Sequence, residues 1–333
     1  MFSFCKIRLA ALSLCAAMTG VAWADAPKEI NFGIISTESS QNLRTMWDPF
    51  LEDMSRQTGL KVNAFFSPDY AGIIQGMRFD KVDIAWYGNK SAMEAVDRAG
   101  GEVMAQTVSH DGQAGYWSLL IAHKDSPYDS VEDVLQNADK IVFANGDPNS
   151  TSGYLVPGYY VFARNGVDPV RIFKRTLNSN HEANGMAVAN RQVDVATISS
   201  ETMERLEKTQ PAKHAQLKII WRSPLIPSDP IVWRKNLDAA TKEKISAFLF
   251  GYGKTAREKE VLTALLWAPF RVSDNDQLIP VRQLELFRKR ALVENDTSLS
   301  VTDRAAKIAA LDAELERLNR RLAERDVAAG NAG

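Results

Sequence analysis

Thiol chemistry is the first thing this sequence lacks. Its two cysteines are Cys5 and Cys15, and none follows them in the 333-residue chain. Both lie in a leader made of Lys6 and Arg8, an apolar run from Leu9 to Val21, and the exit Ala22-Trp23-Ala24. Basic start, apolar middle and small-x-small end are the marks of a cleaved secretory signal over residues 1–24. Leu14 precedes Cys15, where lipid attachment would want a small residue, so the leader is read as an ordinary signal. The mature chain then has no disulfide and no thiol nucleophile although it is exported. Its stability must come from its core.

Charge of one sign is also scarce. Without Lys6 and Arg8 the chain keeps 38 basic residues against 41 acidic ones, a balance that steers toward neither nucleic acid nor an anionic membrane. Beyond the leader no apolar stretch approaches the roughly 20 residues of a membrane span. Nucleotide hydrolysis lacks its Gly-x-x-x-x-Gly-Lys-Ser/Thr loop, and a hydrolase elbow lacks its Gly-x-Ser-x-Gly. The four histidines, His110, His123, His181 and His214, have no metal-ligand spacing. Neither a metal nor a cofactor is expected.

What is present alternates between strand and helix. Ile30 to Ile35 reads as a buried strand, and Gln41 to Gln57 as a helix with Leu43, Trp47, Phe50, Leu51 and Met54 on one face. Gly59 closes that helix, Leu60 to Phe66 is a second strand, Ser67-Pro68-Asp69-Tyr70 turns into another helix, and Val82 to Tyr87 is a third strand. A second block repeats the plan, with strands at Tyr116–His123, Lys140–Ala144 and Val193–Thr197 and helices at Val131–Ala138 and Asn184–Asn190. Val82-Asp83-Ile84-Ala85 in the first block matches Val193-Asp194-Val195-Ala196 in the second. With about 309 residues after the signal, this order argues for two α/β lobes. A further strand at Leu217–Trp221, the proline-dense Ser223 to Pro230 and a helix at Thr241–Tyr252 bring the chain back to the first lobe. The crossings near Tyr116–Ile121 and Trp221–Pro230 would form a hinge.

In the tail, Ile308, Leu311, Leu315, Leu318 and Leu322 alternate at spacings of three and four. Such a short stripe suits either a helix laid on its own lobe or a homodimer contact. Val327 to Gly333 is expected to fray.

The segment Gly146-Asp147-Pro148-Asn149-Ser150-Thr151-Ser152-Gly153-Tyr154 carries the most chemistry. Three hydroxyl residues stand between a turn and a run with helical potential, Tyr154 to Ala163. They sit where unpaired backbone N–H groups and the helix dipole favour an anion. The same residues could equally be an ordinary N-cap. Asn180-His181-Glu182 and Ser199-Ser200-Glu201 occupy comparable places after strand or turn segments, where α/β folds present ligands.

Several stretches resemble the periplasmic phosphonate-binding proteins of phosphonate ABC transporters. They are Asn31 to Glu38, Phe65 to Met77, Val82 to Gly88, Gly146 to Gly153, Ser223 to Pro230 and Trp267 to Phe270. The resemblance implies a type 2 periplasmic-binding-protein fold: two α/β lobes joined by a two-strand hinge, with a helical C-terminal extension. Lobe 1 would comprise residues 27–117 and 224–286, lobe 2 residues 118–223, and the extension residues 287–333. It further implies that Ser150, Thr151 and Ser152 hold the phosphonate oxygens. Tyr70, Tyr116 and His181 would line the cleft, and Glu201 with Asp229 would hold the ammonium of 2-aminoethylphosphonate. The implied role is a periplasmic receptor, not an enzyme, that hands a small phosphonate to a membrane permease. Ser228, where some members have Gly, and Ile198-Ser199-Ser200, in place of an Asn-rich run, bear on selectivity. A phosphate or phosphite receptor is the near alternative. A secreted phospho-ester hydrolase using Ser150 with His181 is the alternative from another class, and a third reading makes the tail an interaction segment.

Overall fold

The computed structural model describes residues 28–330, with side chains as far as residue 325. The expected signal and both cysteines lie outside the described residues. In chain order the strands are β1 (Glu29–Ile34), β2 (Lys61–Phe66), β3 (Ile84–Trp86), β4 (Gly101–Ser109), β5 (Gly115–Tyr116), β6 (Ser118–His123), β7 (Val142–Asn145), β8 (Arg175–Asn178), β9 (Val195–Ser199), β10 (Leu217–Arg222), β11 (Ile226–Pro227), β12 (Pro230–Arg234) and β13 (Trp267–Val272). One sheet has the order β13-β4-β12-β3-β1-β2, the other β10-β6-β9-β7-β8. Each centres on parallel strands, β2-β1-β3 in the first and β8-β7-β9 in the second. Antiparallel strands complete one side of each.

The repeated Val-Asp motif has the same structural use in both lobes. Asp83 accepts from the Asn31 amide at 2.8 Å, and its own N–H donates to the Asn31 carbonyl. Asp194 makes the same pair with Val142, again with a 2.8 Å bond to the carboxylate. In each case an aspartate at the entry to one parallel strand fixes the register of its neighbour.

The cores differ in character. Behind the first sheet, Trp47 packs against Phe32, Phe50, Trp86 and Trp267 with ring centroids 5.2–5.9 Å apart. The second lobe has a smaller cluster in which Phe143 stacks on Phe173 at 4.6 Å. The helix Ser40–Thr58 that supplies Trp47 is capped by Ser39 and ends at Gly59 with φ of 68°, the left-handed turn that glycine tolerates.

Three strands escape a reading by pattern. β13 contains Pro269, its register slips between Ala268 and Arg271, and proline confines it to a sheet edge. β4 is buried along most of its length, so no alternation marks it, and β8 is only four residues long.

The crossings at Gly115–Tyr116 and Ile226–Pro227 pair antiparallel as a separate ribbon between the lobes. A Cβ at Gly115 would lie 1.8 Å from the Ile226 carbonyl oxygen, so this approach requires glycine. The boundary expected between residues 286 and 287 falls inside one continuous helix, Ile279–Glu294. That helix touches both lobes, through Arg282 to Asp97 at 2.6 Å and through Phe287 against Tyr159 at 6.0 Å. The long helix Val301–Gly330 lies along it, joined by Arg290 to Asp312 at 2.8 Å and Gln283 to Asn319 at 2.7 Å. Ile308, Leu311, Leu315, Leu318 and Leu322 are buried or half-buried while most of their neighbours are exposed. The stripe is thus spent within the chain, and the backbone is helical as far as Gly330; the rest of the segment expected to fray, residues 331–333, lies outside the described residues.

Candidate functional site

Strand ends from both lobes converge on one small cavity. Its wall includes Ile35 and Thr37 after β1, Trp86 and Gly88 at and after β3, Ser150, Thr151 and Ser152 after β7, and Ser199 and Glu201 at and after β9. Tyr70, Tyr116, His181 and Asp229 complete it. All eight residues singled out in the sequence therefore meet in one place, outside the carboxyl ends of parallel strands. The space measures about 20 Å³ where a single water needs roughly 10–15 Å³, so the lobes stand nearly closed on it, and an occupant larger than a water or two would hold them slightly further apart while touching both. A larger cavity of about 660 Å³ lies elsewhere along the seam and contains none of these eight residues.

The hydroxyl loop is both cap and wall. Ser150 is the N-cap, and its Oγ accepts from the Gly153 amide at 2.9 Å. The helix begins at Thr151, three residues before the sequence suggests, in π-helical turns over Thr151–Leu155 and Gly158–Phe162. Such wide turns are often found at functional sites. Thr151 Oγ1 accepts the Lys90 amide at 2.8 Å, across from the first lobe. Lys90 stands in the helix Asn89–Arg98, so helix N-termini from both lobes open toward the cavity. No lysine or arginine lines the space. An oxyanion there would be held by neutral donors and helix ends.

His181 opens its own helix, His181–Ala189, behind an Asn180 cap. Its Nε2 lies 3.3 Å from Ser150 Oγ. Burial, with Arg205 adding to it, pushes its pKa down to about 4, so the ring is neutral at physiological pH. Tyr70 is buried, and its pKa is raised chiefly by that burial.

The same wall carries two carboxylates, Glu201 and Asp229. Asp229 is buried, accepting from the Tyr116 hydroxyl at 2.9 Å and from Asn89 Nδ2 at 3.4 Å. Burial first, and then the Glu201 charge, raise its carboxyl well above the usual range, against the pull of Tyr116, Trp86 and the Asn89 backbone amide. Glu201, half-buried in the first turn of the helix Ser200–Thr209, is also raised by burial and drawn back by Arg205. Two like charges in a desolvated wall favour a proton or a cation beside them.

Comparison with known proteins follows the same lines. Residues 32–278 match the family described as "ABC transporter, phosphonate, periplasmic substrate-binding protein". The phosphonates-binding periplasmic protein of Escherichia coli K12 is 59% identical over 293 residues, 88% of this chain and 86% of that protein. This chain belongs to the phosphonate-binding family. A crystal structure of a binding-protein component of an ABC phosphonate transporter from Pseudomonas aeruginosa superposes with a TM-score of 0.89 at 66% identity, covering 90% of this chain and 99% of that one. More distantly, a phosphate-import protein of Mycolicibacterium smegmatis is 30% identical over 60% of this chain and 64% of its own length. As a member of the phosphonate-binding family the chain is a type 2 periplasmic binding protein and a periplasmic phosphonate receptor of an ABC transporter. Among the described residues no helix is long and apolar enough to cross a membrane, and no cluster has the make-up of a metal site.

Thr37, Trp86 and Gly88 line the cavity too. They stand in stretches that carry the family resemblance, but as one threonine, one core-like tryptophan and one glycine they show no separate signal. Gly88 matters by its size, because a Cβ there would come within 3.2 Å of Thr151 Oγ1 where the lobes meet.

Proposed function

We propose that the preferred ligand is a small phosphonate carrying an amine, with 2-aminoethylphosphonate the simplest fit. One observation carries this reading: a single small cavity is lined both by uncharged oxyanion donors and by two carboxylates whose pKa values burial raises. In it Ser150, Thr151, Ser152, Tyr70 and His181 bind the phosphonate oxygens. Glu201 and Asp229, the latter aligned by Tyr116, take the ammonium in charge-assisted bonds. The basic, then apolar, leader fits export to the periplasm, where the loaded receptor would dock on a membrane permease. The tail's leucine stripe is occupied within the chain, so this reading calls on no second copy, and no nucleic acid enters it.

Phosphate is the rival ligand, favoured by the relative from Mycolicibacterium smegmatis. Calorimetry with 2-aminoethylphosphonate, methylphosphonate, phosphite and phosphate separates the two. The amine should strengthen binding roughly tenfold to a hundredfold over methylphosphonate, the worth of one charge-assisted bond. Phosphate binding tighter than any phosphonate would overturn the assignment.

The 3.3 Å approach of His181 to Ser150 also touches the hydrolase alternative. A nucleophile and base of that kind need a third group to orient the base. His181 Nδ1 has no partner among the described residues, and Ser150 Oγ is engaged as a helix cap. We therefore assign the pair to ligand binding without catalysis. Steady turnover of a chromogenic phosphate ester, lost in Ser150→Ala, would contradict this.

A further inference from the structure

Buried polar atoms in proteins are almost always paired. Three side-chain atoms on the cavity wall are buried without a partner among the described residues: Thr37 Oγ1, Trp86 Nε1 and His181 Nδ1. Trp86 has the Asp229 carboxylate within its influence, and His181 is already placed in the site. Thr37 remains. It is 8% exposed and stands just beyond β1 in the first lobe. Its backbone is fixed from both sides, because its N–H donates to the Ile35 carbonyl at 2.9 Å and its carbonyl accepts from the Glu182 amide at 3.3 Å. Glu182 is the neighbour of His181 in the second lobe. Thr37 is thereby held at the interlobe seam, beside the first turn of the His181 helix.

We propose that the Thr37 hydroxyl is a first-lobe donor to the same phosphonate oxygens that Ser150, Thr151, Ser152 and His181 hold from the second lobe. The inference rests on the phosphonate reading of the cavity and adds to it. The hydroxyl triplet and His181 belong to one lobe, so an anion bound by them alone gives the first lobe little reason to close. Tyr70 and Thr37 supply contacts from the opposite side, and the buried Thr37 hydroxyl gains its missing partner only when an oxyanion is present. Its role is in head-group affinity, independent of whether an amine is attached.

The test is calorimetry on Thr37→Val, which keeps shape and loses the hydroxyl, on Thr37→Ala, and on Thr37→Ser, which keeps the hydroxyl. Wild-type protein is run in parallel with methylphosphonate, 2-aminoethylphosphonate and inorganic phosphate, and thermal unfolding checks each fold. The Val and Ala variants should bind both phosphonates about tenfold or more weakly, by equal factors, and the Ser variant within about threefold of wild type. Wild-type affinity in the Val or Ala variant, or a Ser variant as weak as Val, would overturn the proposal. If the wild type instead takes only phosphate, the phosphonate reading fails, while the same variants still decide the Thr37 contact on phosphate.

Discussion

Asp229 holds a tension that is resolved only by a ligand or a proton. It is buried, it accepts from Tyr116, and it feels the charge of Glu201. Its pKa is raised in the folded protein, so the folded state holds a proton that the unfolded chain releases above the ordinary carboxylate range. Stability of the ligand-free protein must then fall as pH rises through the folded pKa. Asp229→Asn removes the charge and keeps an oxygen for Tyr116. It should raise the ligand-free melting temperature by about 2–4 °C at pH 7–8, the worth of roughly 1 kcal/mol in a chain of this size. The gain should vanish near pH 4. Thermal scans across pH read this, and a variant less stable than wild type at pH 7 would show that the carboxylate is not a burden. His181 runs the other way. Its pKa is depressed to about 4, so its contribution is present above the unfolded value and is lost as pH falls.

At the scale of elements, the hydroxyl loop's part of the cavity wall depends on how closely β7 feeds the helix beginning at Thr151. Gly146 donates to the Gly153 carbonyl at 2.9 Å, and a Cβ on Gly146 would come within 2.5 Å of Gly153 Cα. The obstruction is backbone, which cannot swing aside. Gly146→Ala should therefore cost roughly 1–3 kcal/mol of stability and weaken phosphonate binding, because relief of the clash moves the Ser150 cap. Gly158, in the next wide turn of the same helix, is a matched control. A Cβ there meets only Arg288 Cδ at 3.4 Å, so Gly158→Ala should leave both melting temperature and affinity near wild type. Equal behaviour of the two variants in unfolding and calorimetry would refute this account of the loop.

For the whole molecule, the decisive contacts are those between lobes away from the ribbon. Glu182 in the second lobe accepts from the Ser39 amide at 2.8 Å and from Asn42 Nδ2 at 2.6 Å in the first. Arg205 reaches Glu38 at 3.2 Å in a mostly buried pair, and the Tyr70 amide donates to Asp147 at 3.2 Å. Such contacts stabilise the closed arrangement whatever the ligand. Each exposed bond contributes about 0.5–1.5 kcal/mol, so Glu182→Ala, which removes two, should weaken methylphosphonate and 2-aminoethylphosphonate alike, by roughly fivefold to a hundredfold. The ratio of the two affinities should stay constant if, as proposed, closure is shared and Glu201 and Asp229 set selectivity. A changed ratio would place Glu182 in recognition rather than closure.

The order of elements needed only local information. Apolar periodicity, glycine ends, Asx caps and the twice-used Val-Asp motif follow from backbone and solvent physics acting over a few residues, and they identify two α/β lobes. β4, β8 and β13 were not legible, because burial on both faces, brevity and Pro269 each erase the alternation that marks a strand. The eight candidate residues were legible through long motifs, but their company was not. Nothing local shows that Asp229 lies against Tyr116, or that Thr37, an unremarked threonine after the first strand, loses its partner where the lobes meet. The tail's stripe fitted an internal contact or a second chain equally well, since a heptad pattern says which face is apolar and not what covers it. Local elements and donor types are thus properties of short stretches of chain. Which groups are desolvated together is a property of the packed lobes, because burial and the pKa shifts it causes arise from residues far apart in the chain.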